Sequence, residues 1–373
     1  MSHSLTSSPE GPADRDAASS APVENGRPPC RLARVMRGAV WAFALLYVAA
    51  IVALWLLLRL AGDRWWFATL LLYGPRWVYA LPLAALAPAA LLWRRASLWP
   101  LALAGLIVVW PIMGLCIPWR KLTAPPPAAD RPRLRVLSFN VQRFAPAPEA
   151  FHDLIESLNP DVMALQEHAG WTPKKEQWKL PEKWRTHQAG ELMVASRYPI
   201  VRVEVSHCDL GPGPPVINGV YCVLDTPQGK VGFACVHLET PRYGLSLVLN
   251  RGEPDLSMGP RAERQIEWRR QESADVARWL ESFPEPKIIA GDFNMPTDST
   301  IYQEVWAGYR NAFGRAGFGY GYTKQTAIRR RSYGLRIDHI LTDEHWRPVD
   351  CRVGPDIGSD HLPLVADLVG DSD

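Results

Sequence analysis

Lys287-Ile288-Ile289-Ala290-Gly291-Asp292-Phe293-Asn294 joins a short apolar run to an acid and an amide. The run predicts a buried β-strand, and the tip of such a strand has no structural use for a carboxylate or an amide. Two further predicted strands end in Gln166-Glu167 and in His237, and Ser359-Asp360-His361 follows downstream. Acids, amides and imidazoles gathered at strand ends are the groups that divalent-metal phosphoester chemistry uses.

From residue 133 onward, short β-rich runs alternate with helical segments. The predicted strands are 134–139, 162–165, 192–195, 216–224 and 231–238, and the predicted helices are 149–158 and 261–280. The last two strands flank Asp225-Thr226-Pro227-Gln228-Gly229, whose composition is typical of a hairpin turn. Alternation of strands and helices combined with a hairpin predicts a layered α/β domain over residues 133–370.

The first third of the chain has a different composition. Residues 1–37 are predicted to be a disordered basic tail, because they are rich in small and polar residues and end in an arginine cluster without acids. Residues 38–121 predict a transmembrane region of about three helices, at 38–58, 77–93 and 98–119. Residues 122–132 predict a Pro-rich, semi-rigid linker to the domain.

The flanks of these apolar helices favour membrane spans. Tryptophans together with Arg94-Arg95 and Arg120-Lys121 are typical anchors at a membrane interface. The alternatives are buried helices of a soluble domain, disfavoured by three such helices in succession, and a transporter, disfavoured by few internal charges. Three crossings would place the domain outside the cytoplasm, although Arg59, Arg64 and Arg76 oppose that orientation. The prediction is a multi-pass membrane protein with an extracytoplasmic domain.

The overall charge restricts the class of partner. The formal net charge is only +3, and the domain has no dense lysine or aromatic pattern. Proteins that track nucleic-acid phosphates usually present a basic face, so the composition leans away from polymeric DNA. The six cysteines form no C-x-x-C pair, so neither a zinc knuckle nor a thioredoxin-like site is indicated.

Three residues at the predicted strand ends can offer oxygen ligands to a metal. Glu167 and Asp360 carry carboxylates, and Asn140 carries an amide oxygen. A hard cation such as Mg²⁺ takes few protein oxygens and keeps positions for water and phosphate. Mg²⁺ is therefore the predicted cofactor, with Mn²⁺ as the alternative.

The remaining polar residues suit transfer of a phosphoryl group to water. The catalytic candidates are His237, Asp292, Asn294, Asp338 and His361, with Glu191 in a supporting position. Asp292 can orient and deprotonate water, and the amide and imidazoles can donate to a phosphate. Asp338 and Glu191 can each fix the tautomer of an imidazole. The alternatives are a turn-forming role for Asp292 and Asn294 and a hydrogen-bonded core position for His237.

Six blocks of sequence resemble the signatures of the endonuclease/exonuclease/phosphatase superfamily and follow that family's order. They are Ser138-Phe139-Asn140, Leu165-Gln166-Glu167, Val236-His237-Leu238, Ala290-Gly291-Asp292-Phe293-Asn294, Arg336-Ile337-Asp338-His339 and Ser359-Asp360-His361-Leu362-Pro363. The Gly-Asp-x-Asn block alone is a modest signal, whereas six blocks over about residues 133–369 are specific. The superfamily contains deoxyribonucleases, abasic-site endonucleases, inositol polyphosphate phosphatases and neutral sphingomyelinases.

The resemblance implies a fold and a metal site. The fold is a four-layered α/β sandwich, two packed β-sheets flanked by helices, here preceded by the transmembrane region. Glu167 would be the main metal ligand, with Asp360 completing the shell and Asn140 assisting. Gln142 stands where abasic-site nucleases carry a further carboxylate, which argues against a second tightly held cation and against that subfamily.

The resemblance also implies catalytic roles. Asp292 would orient the attacking water while Asn294 steadies the phosphoryl oxygens. His361 would contact the phosphate with Asp338 behind it. His237 matches the histidine of the deoxyribonuclease-like members, and Glu191 occupies the place of its acidic partner.

The function expected from these residues is divalent-metal-dependent hydrolysis of a phosphoester by a membrane-anchored enzyme. The substrate would be a phospholipid headgroup, an inositol phosphate or a nucleic acid, and the lipid bilayer would contact the N-terminal helices. The alternatives are an endonuclease or exonuclease and a non-catalytic membrane protein that binds phosphate. No obligate protein partner is predicted.

Overall fold

Two six-stranded β-sheets form the carboxyl-terminal part of the chain. The computed structural model describes residues 31–119, 121, 131–169, 175–209, 215–227, 229–248, 255–328 and 331–371. The first sheet contains β1 (Arg133–Asn140), β2 (Val162–Gln166), β3 (Arg185–Ala189), β4 (Leu192–Ser196), β13 (Trp346–Val353) and β14 (Leu364–Gly370). The second sheet contains β5 (Ile200–Cys208), β6 (Val216–Thr226), β7 (Gly229–His237), β8 (Lys287–Asp292), β9 (Arg310–Asn311) and β12 (Asp338–Thr342). A separate pair consists of β10 (Lys324–Ile328) and β11 (Arg331–Leu335).

Helices lie before the first strand and between later strands. They are α1 (Arg31–Ala61), α2 (Trp66–Tyr73), α3 (Leu81–Trp93), α4 (Leu98–Ile107), α5 (Pro148–Leu158), α6 (Arg242–Val248), α7 (Gly259–Glu281), α8 (Thr300–Val305) and α9 (Ala312–Ala316). The strands and helices predicted after residue 133 are all confirmed, with ends that differ by one or two residues.

Alternate residues of each strand face opposite sides of its sheet, and in the inner strands β1, β2, β7 and β8 both sides are largely buried. Val136 of β1 and Phe233 of β7 belong to the core between the two sheets. On the outer side of the first sheet, Leu137 packs with residues of α5, and on the outer side of the second, Ile289 packs with residues of α7 and α8. Strands buried on both faces read as nearly continuous apolar runs. The predicted four-layered sandwich is confirmed.

One pair of parallel strands lies inside each otherwise antiparallel sheet. β1 runs parallel to β2, with Asn140 beside Gln166, and β7 runs parallel to β8, with His237 beside Asp292. Gly291 permits the second pairing, because a Cβ atom there would overlap the carbonyl oxygen of Val236 in β7. The carboxyl ends of all four strands therefore carry the polar residues of the sequence motifs.

The N-terminal helices are apolar and largely exposed. Three helical stretches, Arg31–Ala61, Arg76–Trp93 and Arg95–Ile112, are long and apolar enough to cross a membrane. The predicted tail of residues 1–37 needs correction, because residues 31–37 already belong to α1, while residues 1–30 lie outside the described part. Of the predicted linker 122–132, residues 122–130 also lie outside it.

The second and third predicted spans also differ in detail. A 3₁₀ turn, Arg76–Ala80, precedes α3, and the stretch before this turn forms α2. The third span does not continue to residue 119, because a π-helical turn, Val108–Ile112, ends it. Pro111 lies within this turn and Gly114 has a left-handed backbone, two features that stop helices.

A buried ion pair joins the helical region to the sandwich. Asp63, in the turn after α1, lies 2.6 Å from the guanidinium of Arg269 in α7, and the two side chains are 0% and 1% exposed. Arg269 also donates to the hydroxyl of Tyr73 at 2.8 Å, and Ser299 donates to Asp63 at 2.6 Å. Because every partner is buried, these groups depend on one another for their hydrogen bonds.

A second buried charge of α7, Glu272, lies one turn further along on the same buried face of the helix. Glu272 accepts hydrogen bonds from Asn218 Nδ2 at 3.1 Å and from the backbone N–H of Glu239 at 2.7 Å. It therefore links α7 to β6 and to the segment that follows His237. Burial raises the pKa of Glu272 to about 7, although these two hydrogen bonds oppose the shift.

Removal of one member of the buried ion pair is expected to destabilise the protein strongly. Arg269→Met leaves Asp63 as an uncompensated buried anion, so we expect the free energy of unfolding to fall by about 3–5 kcal/mol. Thermal unfolding of the full-length protein in detergent measures this. Arg278→Met is the matched control, since Arg278 lies on the same helix and is 73% exposed. Equal effects of the two substitutions would contradict the structural role of the pair.

Glu272 is expected to make stability depend on pH. Its pKa in the folded protein exceeds the usual 4.5, so its contribution to stability is complete below that value and is lost as the pH rises through about 7. As the pH rises from about 5 to about 8, the free energy of unfolding of the unmodified protein should fall by about 2–3 kcal/mol through Glu272. Glu272→Gln should not show this part of the decrease. Thermal unfolding at both pH values, with Glu267→Gln on the exposed side of α7 as control, measures the difference. A parallel pH dependence in protein and variant would exclude this effect.

Candidate active site

The two parallel strand pairs bring their polar ends together. Asn140 Nδ2 donates to Glu167 Oε1 and to Asp292 Oδ2, each at 3.1 Å. One amide thus bridges a carboxylate at the end of the first sheet and a carboxylate at the end of the second. Glu167 has a left-handed backbone (φ 52°), which lets the chain turn sharply at the end of β2.

The amide of Asn140 has a defined orientation. Its oxygen accepts a hydrogen bond from the backbone N–H of Gln142 at 3.0 Å, so its nitrogen faces the carboxylates. Sequence reasoning assigned this oxygen to the metal, whereas here it is used within the turn after β1. In this arrangement Asn140 holds Glu167 and Asp292 in position.

His361 and Asp338 form a buried hydrogen-bonded pair beside Asp292. His361 Nδ1 lies 2.9 Å from Asp338 Oδ2, and the opposite ring nitrogen, Nε2, lies 3.5 Å from Asp292 Oδ2. All three side chains are at most 3% exposed. Asp338 therefore fixes the ring with Nε2 directed toward Asp292.

The charges of this group shift one another. Burial alone would lower the pKa of His361, but the charges of Asp338 and Asp292 raise it above the usual 6.5. Burial and the charge of Asp338 raise the pKa of Asp292, against the charges of His361 and His237. Burial would also raise the pKa of Asp338, but the imidazole of His361 lowers it. The arrangement favours a positively charged His361 beside an Asp292 of increased basicity.

His237 lies at the edge of the same group. Its Nε2 is 3.8 Å from Asp292 Oδ2. The predicted pairing with Glu191 is not formed, because the Glu191 side chain is 42% exposed and lies 3.8 Å from Arg143. Glu191 follows Gly190, which has a left-handed backbone, in the tight turn between β3 and β4. Among the described residues, Asp292 is the carboxylate in contact with His237.

Asn294 is held from two sides. Its backbone N–H donates to Asp292 Oδ1 at 2.9 Å, and its side-chain nitrogen donates to the carbonyl oxygen of Leu238 at 2.8 Å. Its own carbonyl oxygen accepts from Tyr73 at 3.1 Å and from Arg269 at 3.0 Å. The buried cluster of Asp63, Tyr73 and Arg269 therefore contacts the loop that carries Asn294.

Asp360 lies at the more exposed side of the site. Its carboxylate forms an ion pair with Lys324, and its backbone N–H donates to the side chain of Gln142 at 2.9 Å. Gln142 thus connects the loop of Asp360 to the end of β1. Asp360 Oδ1 is 4.0 Å from His361 Nε2, so it belongs to the same group of charges.

Sequence reasoning missed three groups of the site or its support. Lys324 lies in no motif, and no local signal marked it. Arg269 and Glu272 could have been found, because both fall on the apolar stripe of α7 with Ile266 and Ser273. Charged residues on the buried side of an amphipathic helix need partners.

The donor set fits a hard divalent cation. The ligand atoms of Asp292, Asp338 and His361 lie within 4.8 Å of one another, and such a buried group could hold a metal. The hydrogen bond between Asp338 and His361 already uses two of these atoms, however. Glu167 and Asp360 are less buried and offer carboxylate oxygens at the rim, the ligand type that Mg²⁺ prefers.

Comparisons with known proteins agree with this site. The model of the Endonuclease/Exonuclease/phosphatase family matches residues 137–361, which is more than half of the chain. No curated protein matches the chain.

Several solved structures are similar at low identity. An endonuclease/exonuclease/phosphatase from Beutenbergia cavernae DSM 12333 has 17% identity and a TM-score of 0.48, over 64% of this chain and 72% of that chain. A family protein from Bacteroides thetaiotaomicron has 16% identity and a TM-score of 0.49, over 65% and 100%. D. rerio TDP2 complexed with single strand DNA product has 15% identity and a TM-score of 0.47, over 63% and 98%. On the match of the family model, the chain belongs to the endonuclease/exonuclease/phosphatase family, whose members are hydrolases acting on phosphoesters.

Proposed function

We propose that this protein is a membrane-anchored, divalent-metal-dependent phosphoester hydrolase. The observation that carries the proposal is the buried pair of His361 and Asp338, whose free ring nitrogen faces Asp292 at 3.5 Å. Asp292 is in turn tied to Glu167 through Asn140. An imidazole, two buried acids and a bridging amide at one point are more than a structural ion pair needs, and they are groups that can serve the hydrolysis of a phosphoester.

The residues divide the reaction among them. Asp292, whose pKa is raised by burial, orients a water molecule and takes its proton as the water attacks phosphorus. The bond from phosphorus to the leaving oxygen breaks, and this oxygen takes up a proton from solvent to become a hydroxyl. Asp292 then releases to solvent the proton it took from the attacking water. His361 in its charged form donates to a phosphoryl oxygen, and Asn294 and His237 lie where they can support the same group.

Glu167 and Asp360 would hold the cation, with Mg²⁺ as the expected metal and Mn²⁺ as the alternative. When bound, the cation neutralises charge on the phosphoryl oxygens and polarises water. Lys324 contributes a further positive charge beside Asp360. It would limit the negative charge that four nearby carboxylates impose on an incoming phosphate.

The three apolar helices support attachment to a membrane, and we propose that the catalytic domain faces away from the cytoplasm. Attachment favours phosphoesters at or near a bilayer. Phospholipid headgroups, inositol phosphates and nucleic acid remain the candidate substrates.

Substitution of the central residues is expected to abolish turnover. Asp292→Asn removes the base and His361→Gln removes the charged donor, so each should lower kcat for a generic phosphodiester reporter by about 100-fold or more. The control is Asp153→Asn on the exposed side of α5, which should retain full activity. Unchanged rates in the first two variants would refute the catalytic assignment.

A substrate panel tests the proposed function itself. We expect the full-length protein to hydrolyse at least one of phospholipids, inositol phosphates, and single- and double-stranded DNA. Activity should disappear with a chelator and return with Mg²⁺ or Mn²⁺, since the cation is needed to neutralise phosphate charge. Binding of these compounds without turnover under every metal condition would support the non-catalytic alternative.

A further inference from the structure

A cavity of about 370 Å³ lies where the helical region meets the sandwich. α1 contributes Trp55 and Arg59, and the turn after α4 contributes Trp110. The sandwich contributes residues 296–298, which follow Asn294, and Arg336, which precedes Asp338. The cavity therefore borders the loop that follows Asn294 on one side and the apolar helices on the other.

The walls of this cavity carry more positive than negative charge. Arg76 is paired with Asp298 at 2.9 Å. The guanidinium of Arg336 contacts Thr297 Oγ1 at 3.2 Å and Cys116 Sγ at 3.0 Å, and that of Arg59 contacts Gln303 at 3.0 Å. Within the described part of the chain, neither Arg59 nor Arg336 has a carboxylate partner. Three guanidinium groups thus face a single carboxylate, which favours an anionic ligand.

The same cavity has an apolar side directed toward the helices. Trp55 and Trp110 are 36% and 46% exposed, and both lie near the ends of apolar helical segments that are long enough to cross a membrane. Tryptophan at such positions is typical of the boundary between headgroups and acyl chains. Arginine beside it provides the charge that a headgroup phosphate meets at this depth.

The geometry points to a binding site for one membrane phospholipid. Its phosphate lies between Arg59 and Arg336, and its apolar part extends along Trp55 and Trp110. A soluble phosphate would match the arginines but leave the tryptophans without a partner, and a diacylglycerol would do the reverse. The inference rests on the membrane attachment proposed above and adds a site outside the catalytic residues.

The full-length protein in detergent tests this site. Native mass spectrometry counts the phosphatidylglycerol molecules retained after titration, with diacylglycerol and inorganic phosphate as separate ligands. We expect one phosphatidylglycerol per chain, little retention of diacylglycerol and no competition by inorganic phosphate at matched concentration. Arg59→Gln and Arg336→Gln should each weaken retention about tenfold, through loss of a charge-assisted hydrogen bond. Arg336→Lys, which keeps the charge, should retain most of the binding.

Arg95→Gln is the matched control, because Arg95 is exposed and lies outside the cavity, at the opposite end of the stretch Arg95–Ile112 from Trp110. Equal loss in Arg95→Gln, equal retention of diacylglycerol, or displacement by inorganic phosphate would overturn the inference. Hydrolysis of a soluble phosphodiester reporter is measured in parallel. Reporter turnover without lipid retention would contradict the lipid site alone. Lipid retention without reporter turnover would contradict the proposed hydrolase function alone.

Discussion

The buried ion pair of Arg269 and Asp63 is the constraint on which the rest of the molecule depends. It connects α7, which covers the second sheet, to the turn after α1. The same guanidinium and the hydroxyl of Tyr73 hold the carbonyl oxygen of Asn294. Two charges removed from water must satisfy each other, so the pair ties the helical region, the sandwich and the loop that carries Asn294 to one another. The N-terminal helices are therefore part of the structure that supports the active site.

The active site itself depends on the parallel strand pairs. Each sheet contains one such pair, and the carboxyl ends of the two pairs lie at the same edge of the sandwich. The core between the sheets keeps these ends adjacent. This places Glu167 and Asp292, from different sheets, within reach of the single amide of Asn140. Burial then raises the pKa of Asp292, and the charges of Asp338 and Asp292 raise the pKa of His361. Perturbed pKa values of this kind cluster at functional sites.

Much of this could be predicted from the sequence, and the failures have physical causes. The apolar runs at 134–139 and 162–165 and the helical stripe at 261–280 specify elements locally, and the motif blocks mark the strand ends. Glu191 was wrong as the partner of His237 because side-chain direction in a tight turn depends on backbone geometry that composition does not encode. Lys324 was missed because it approaches Asp360 only through pairing of distant segments. The ends of the helical spans were misplaced because π and 3₁₀ turns have weak local signals.

The separation of 206 residues between Asp63 and Arg269 has a consequence for biosynthesis. Translation is vectorial, so the turn after α1 leaves the ribosome long before α7 exists. During that interval the carboxylate of Asp63 lacks its guanidinium and must stay in contact with water. Final packing of the first helices thus waits for the catalytic domain. Nascent chains arrested before residue 269 would expose a mispacked apolar segment, the kind of defect that quality-control proteases remove.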